Sequence, residues 1–129
     1  MKITQIEIIL YVSNQQESCV FYRQLLDQEP ILDVLGMTEF YISDMVKLGL
    51  MPNDGIAKIL EDKLQHPSKG NGIPRCELYL YVENIVLEVE RIKNLGVKLI
   101  SPLKDRDWGD RVCYFSDLDG HVVALAEKL

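Results

Sequence analysis

Two stretches of the chain share a pattern of apolar and polar positions. Glu7-Ile-Ile-Leu-Tyr-Val-Ser-Asn14 and Glu77-Leu-Tyr-Leu-Tyr-Val-Glu-Asn84 carry Glu, Leu, Tyr, Val and Asn in matching places, offset by 70 residues. Leu25 and Leu95 keep the same offset. Five identities within eight residues mark an internal duplication. Each stretch is rich in β-branched, aliphatic and aromatic residues, which predicts strands over residues 5–12 and 76–82. Period-2 alternation puts Glu7, Ile9 and Tyr11 on one face and Ile8, Leu10 and Val12 on the other. In the second copy Glu77, Tyr79 and Tyr81 oppose Leu78, Leu80 and Val82.

Asn14 and Asn84 stand where a helix N-cap accepts a hydrogen bond from a free backbone N–H. The spacing then predicts a helix over 15–26, with Val20, Phe21, Leu25 and Cys19 on its apolar stripe. A second runs over 85–95 with Ile85, Val89, Ile92 and Leu95, and Gly96 ends it. Three short strands follow each helix: 31–34, 38–43 and 46–51 in the first copy, 97–100, 111–116 and 121–126 in the second. Asp117-Leu-Asp-Gly120 is a hairpin turn. Module one spans about 1–52 and module two about 75–129, within one domain. Between them, residues 53–74 form a turn-rich linker with a short helix near 56–64. The aliphatic strand faces belong under the helices, so the faces bearing Glu and Tyr are left for ligand contact.

At 129 residues the chain fits a single domain. Fourteen basic residues against 20 acidic ones give a net charge of -6, with no cationic excess for a phosphate backbone. No nucleic-acid partner is expected. No apolar run is long enough to span a bilayer. The three cysteines, Cys19, Cys76 and Cys113, show no metal or redox spacing, which suits free thiols in the cytoplasm.

Phe21-Tyr22 in the first helix, Trp108-Gly-Asp-Arg111, and Tyr114-Phe-Ser-Asp-Leu-Asp-Gly-His121 carry a family likeness. The chain resembles the vicinal oxygen chelate superfamily: glyoxalases, bleomycin-resistance proteins and extradiol dioxygenases. Leu118 replaces the proline usual in that turn. The resemblance implies an α+β fold of two tandem βαβββ modules. These form a curved, half-open mixed sheet around a cavity, with helices on the outer face. It also implies a homodimer. Metal-dependent members place ligands on the first and last strand of each module. Those positions are Glu7 and Glu77, then Ala124 and, by alignment of the hairpins, Gly49.

Two of the four positions offer no donor, too few for a catalytic divalent ion. No cofactor is therefore expected. His121 lies three positions from Ala124 on the opposite strand face, and His66 precedes Pro67, so turn roles suit both. A carboxylate in a partly enclosed site needs a cation, a donor or a proton. Lys47 and Arg111 are the candidate partners. Alternatively, Glu7 and Glu77 simply solvate an open surface. The expected ligand-binding residues are Glu7, Tyr11, Lys47, Glu77, Tyr79, Trp108, Arg111 and Ala124. Trp108 either stacks on a planar ligand or packs beneath its loop, and Tyr22 packs helix to sheet. The expected function is metal-independent binding of a polar or cationic small molecule. The alternative is a lyase or isomerase resembling glyoxalase I, with Glu7 and Glu77 as metal ligands or general base. An interaction module with a vestigial cavity is a third reading.

Overall fold

In the computed structural model, which describes residues 1–129, the duplicated stretches become equivalent strands of two similar units. The first unit is Met1–Asn71 and the second Gly72–Leu129, so the boundary falls inside the segment read as a linker. Each unit follows the order βαβββ. The first holds β1 (Ile6–Val12), α1 (Gln15–Leu26), β2 (Leu32–Val34), β3 (Met37–Ser43) and β4 (Val46–Pro52). Helix α2 (Asn53–Leu60) and a 3₁₀ turn at Pro67–Gly70 complete it. The second holds β5 (Glu77–Tyr81), α3 (Ile85–Asn94), β6 (Leu99–Asp105), β7 (Asp110–Ser116) and β8 (Val122–Lys128). The sheets are open, four-stranded and mixed, in the orders β1-β4-β3-β2 and β5-β8-β7-β6. In each, the first strand runs parallel to the last, and the remaining pairs are antiparallel. No helix is long and apolar enough to cross a membrane.

Both asparagine caps form as the sequence dictates. Asn14 Oδ1 accepts from the Glu17 N–H at 2.9 Å, and Asn84 Oδ1 accepts from the Leu87 N–H at 3.2 Å. Gly96 follows α3 at φ +89°, where a side chain would be strained. The buried stripe of α1 is Ser18, Cys19, Tyr22 and Leu25, whereas Val20 is exposed. The expected stripe was thus rotated, because Tyr22 rather than Val20 fills the space over the sheet. In α3, Ile85, Val89 and Ile92 are buried, but Leu95 is exposed. In the first unit, Leu10, Val12, Phe40, Leu48 and Leu50 form the sheet side of the core.

Three segments differ from the expected boundaries. Strand β6 starts later and runs through Pro102 to Asp105, a stretch read as loop. As the outer strand it loses no ladder bond to the proline, and its pairing with β7 shifts register on both sides of Ser101. Helix α2 begins at Asn53 instead of residue 56 and stops where Glu61 takes φ +54°. His121 leaves β8 for the preceding turn. Its ring Nδ1 lies 2.8 Å from Asp117 Oδ2, and its backbone N–H donates to Asp117 Oδ1 at 2.9 Å.

Candidate functional site

The strand faces opposite the buried aliphatic residues carry the charged and aromatic side chains. In the first unit, β1 and β4 pair Glu7 with Lys47 and Ile9 with Gly49, while β3 sets Glu39 opposite Gly49. Cross-strand partners share a face, so Glu7, Glu39 and Lys47 meet. Lys47 Nζ lies 3.1 Å from Glu39 Oε2 and 3.6 Å from Glu7 Oε2. All three side chains are largely shielded from solvent. Glu7 Oε1 is buried without an N–H or O–H donor.

The two carboxyl groups lie within hydrogen-bonding reach of each other, and their titrations split. The hydrogen bond with Glu39 raises Glu7, and burial and the Glu39 charge add to the rise against the pull of Lys47. Glu39 is lowered, first by its bond from Glu7 and then by Lys47. A shared proton, carried on Glu7 and donated to Glu39, accounts for both directions. The ammonium of Lys47 is stabilised in turn, first by its hydrogen bond to Glu39.

In the second unit, β5 and β8 pair Tyr79 with Ala124, and β7 sets Tyr114 opposite Ala124. Ala124 is buried with Val112 and Ala126 beneath Tyr79 and Tyr114. Around them runs a chain of aromatic hydrogen bonds ending on one carboxylate. Trp108 Nε1 donates to Tyr79 Oη at 3.0 Å, and the Tyr79 and Tyr81 hydroxyls each donate to Asp110 Oδ2 at 2.8 Å. The Tyr79 and Tyr81 rings meet edge to face at 5.3 Å. Asp110 is only 5% exposed, whereas Trp108 is 58% and Tyr81 56% exposed. Burial, reinforced by Asp110, pushes the Tyr79 phenol up to about 12, and the bond to Asp110 raises Tyr81. Asp110 is lowered by the Tyr79 bond and then the Tyr81 bond, so it stays ionised.

Of the residues singled out in the sequence, Glu7 and Lys47 come together, as do Tyr79, Trp108 and the Ala124 floor. Tyr11 is exposed on the same face as Glu7, and Glu77 is exposed; burial raises the Tyr114 phenol, and the nearby Glu77 charge adds to the rise. Arg111 does not join them. Alternation turns it to the other face of β7 from Asp110, where it pairs with Asp105 at 2.8 Å. Glu39 and Asp110 were missed, and Tyr81 was placed on the ligand face without being named as a contact. The mid-strand charge of Glu39, opposite in alternation to apolar Phe40, was the signal available for the first. Asp110 was hidden because its strand was expected to begin one residue later.

The two registers also test the metal positions. With Glu7 and Glu77 equivalent, Ile9↔Gly49 and Tyr79↔Ala124 place Gly49 and Ala124 at equivalent points. Neither has a side-chain donor, and in the first unit Glu7 already faces an ammonium. A divalent ion would find one carboxylate per strand pair where it needs several donors. These residues do not fit a metal centre of the usual family kind.

Comparison with known proteins agrees with this architecture. A family model described as a glyoxalase-like domain matches residues 5–129. A solved Nocardioides structure, named a glyoxalase/bleomycin resistance protein/dioxygenase, is 20% identical with a TM-score of 0.79, covering 100% of this chain and 84% of that one. The antibiotic binding protein TnmS3 of Streptomyces is 19% identical with a TM-score of 0.73, covering 100% and 98%. An uncharacterised Mycobacterium bovis protein is 24% identical, with 75% of this chain and 78% of that protein covered. The chain belongs to the glyoxalase-like domain family of the vicinal oxygen chelate superfamily.

Proposed function

We propose that this protein binds a polar or cationic organic molecule without a metal ion, against the aromatic face of its second sheet. The observation that carries this reading is the ordered run Trp108–Tyr79–Asp110–Tyr81. Exposed aromatic surface fixed by hydrogen bonds beside a shielded carboxylate is the composition of a ligand site: apolar area for affinity, one polar group for orientation. Stacking loses little entropy here, because the rings are already held. The fold supports such a use, since the Streptomyces antibiotic binding protein shares it. Thermal-shift screening of small organic ligands, with and without EDTA, tests the proposal. Stabilisation by an organic compound that is indifferent to EDTA is expected. Stabilisation that depends on a divalent ion overturns it.

One observation favours a second reading, a lyase or isomerase. Glu7 and Glu39 form an acid–base pair whose titrations are driven apart, and a carboxyl raised above its ordinary value is a stronger base once ionised. Turnover of the methylglyoxal–glutathione hemithioacetal, lost in both Glu7→Gln and Glu39→Gln, would support it. Turnover lost in Glu77→Gln would instead direct attention to the second unit. Absence of turnover in the unaltered protein removes the glyoxalase version.

A further inference from the structure

Asp110 opens β7, Lys128 closes β8, and the two are direct cross-strand partners. Lys128 Nζ hangs 5.5 Å from the centroid of the Tyr81 ring, whose hydroxyl is bound to the Asp110 carboxylate. One side of that ring is therefore already used as a cation platform, with an ionised carboxylate beside it. The Asp110 charge is held by two phenols, which donate hydrogen bonds but bring no positive charge. The cation that does stand near is a lysine on a flexible four-carbon stem, at an exposed position. Trp108 presents its exposed indole at the other end of the same hydrogen-bonded run.

We infer that the Tyr81–Asp110 corner recognises an organic ammonium group attached to an aromatic ring, and that Lys128 is an internal occupant which this ligand displaces. The ligand's cation takes the place of the lysine Nζ over Tyr81, and its ring reaches toward Trp108. A quaternary ammonium suits the corner better than lysine does. It is weakly hydrated, so less is lost in bringing it onto the ring face. The net charge of -6 favours the approach of cations generally. The inference rests on the reading that this face binds a small organic molecule, and adds the class of ligand and the residue that competes with it.

Trp108 is the only tryptophan, so its fluorescence reports directly from the site. The probe is benzyltrimethylammonium, compared with neutral benzyl alcohol and anionic phenylacetate. Saturable quenching by the ammonium is expected, with benzyl alcohol about tenfold weaker or worse, the effect of one modest ionic contact. Lys128→Ala, at an exposed position, should fold normally and bind the ammonium about two- to fivefold more tightly, the reciprocal of a surface cation–π contact. Tyr81→Phe should keep most of the affinity because the ring face remains, while Tyr81→Leu should lose it. Asp110→Asn should weaken binding and flatten its salt dependence. Equal quenching by all three probes, or Lys128→Ala binding no tighter than the unaltered protein, overturns the inference but leaves small-molecule binding standing. No saturable quenching by these probes, with no thermal shift from any compound in the wider screen, sinks both.

Discussion

Glu7 lies over Gly49 so closely that a Cβ built on the glycine would sit 2.7 Å from Glu7 Oε1. The same atom would meet Ile9 Cγ1 at 3.1 Å and Met37 Sδ at 3.3 Å. Gly49 is buried, and the missing side chain is what lets the carboxyl of Glu7 lie across β4 toward Glu39 and Lys47. Gly49→Ala should therefore destabilise the protein by about 1–3 kcal/mol, the usual penalty for an extra methyl in a filled space. Because Glu7 is the closest obstacle, the penalty should fall by about half or more in a Glu7→Ala background. Urea unfolding of the two single variants and the double variant measures this coupling. Equal penalties in both backgrounds would mean that Ile9 and Met37, not Glu7, resist the methyl.

The Glu7–Glu39 pair predicts a pH signature with two opposed parts. Glu7 has a raised folded-state pKa, so its contribution to stability is present at low pH and is lost as pH rises through that value. Glu39 has a lowered one, so its contribution is present above the unfolded carboxylate range and is lost as pH falls through the folded value. The hydrogen bond to Glu39 is the largest cause of the Glu7 shift. Glu39→Gln should accordingly bring Glu7 down, since a neutral amide can donate to its carboxylate and removes a like charge. Carbon-detected NMR titration of the glutamate carboxyls reads both. A Glu7 midpoint unmoved by Glu39→Gln would show that burial alone sets it.

The duplication made β1, β5 and both N-caps legible, because Glu7/Glu77 and Asn14/Asn84 occupy positions that local rules govern. The equivalence of Gly49 and Ala124 could be proposed from the hairpins, but it became firm only through strand register. Glu39 escaped notice for the same reason. Its partner Lys47 is eight residues away around a hairpin with a register shift between Tyr41 and Ser43, so residue spacing alone does not bring them together. Arg111 lies apart from the aromatic run through a single step of alternation: its neighbour Asp110 faces Tyr79, while Arg111 pairs with Asp105 on the other strand face.

Tyr79 connects Trp108 to Asp110, and removing its hydroxyl should disturb both ends. In Tyr79→Phe the indole N–H loses its acceptor, and the Trp108 emission should shift to the red as water replaces the phenol. Asp110 should rise toward its ordinary value, because the Tyr79 bond is the largest cause of its depression. Tyr81→Phe should move Asp110 less and leave the emission unchanged, since Tyr81 reaches the carboxylate but not the indole. An emission shift equal in the two variants would contradict the order of the hydrogen-bonded run.

His121 gives the turn after β7 a pH dependence of its own. Asp117 Oδ1 accepts from the backbone N–H groups of Asp119 and His121 at 3.0 and 2.9 Å, while its Oδ2 faces the His121 ring at 2.8 Å. The bond to Asp117 raises the His121 pKa above the ordinary 6.5, against the effect of burial. A folded-state value above the unfolded one means that the ion pair contributes fully below about pH 6.5 and fades as pH rises through the folded value. Unfolding free energy should decline across that window in the unaltered protein and stay flatter in His121→Asn. Asp117→Ala should do more, about 1–3 kcal/mol, because it strands two backbone donors in a shielded turn as well as the imidazole. Chemical denaturation from pH 5 to pH 9, an interval of about four units spanning the histidine range, separates the two effects. The His121→Asn difference should close at the alkaline end, whereas the Asp117→Ala deficit should persist there. A His121→Asn deficit that grows with pH would reverse the sign and assign the histidine a neutral, acceptor role in the turn.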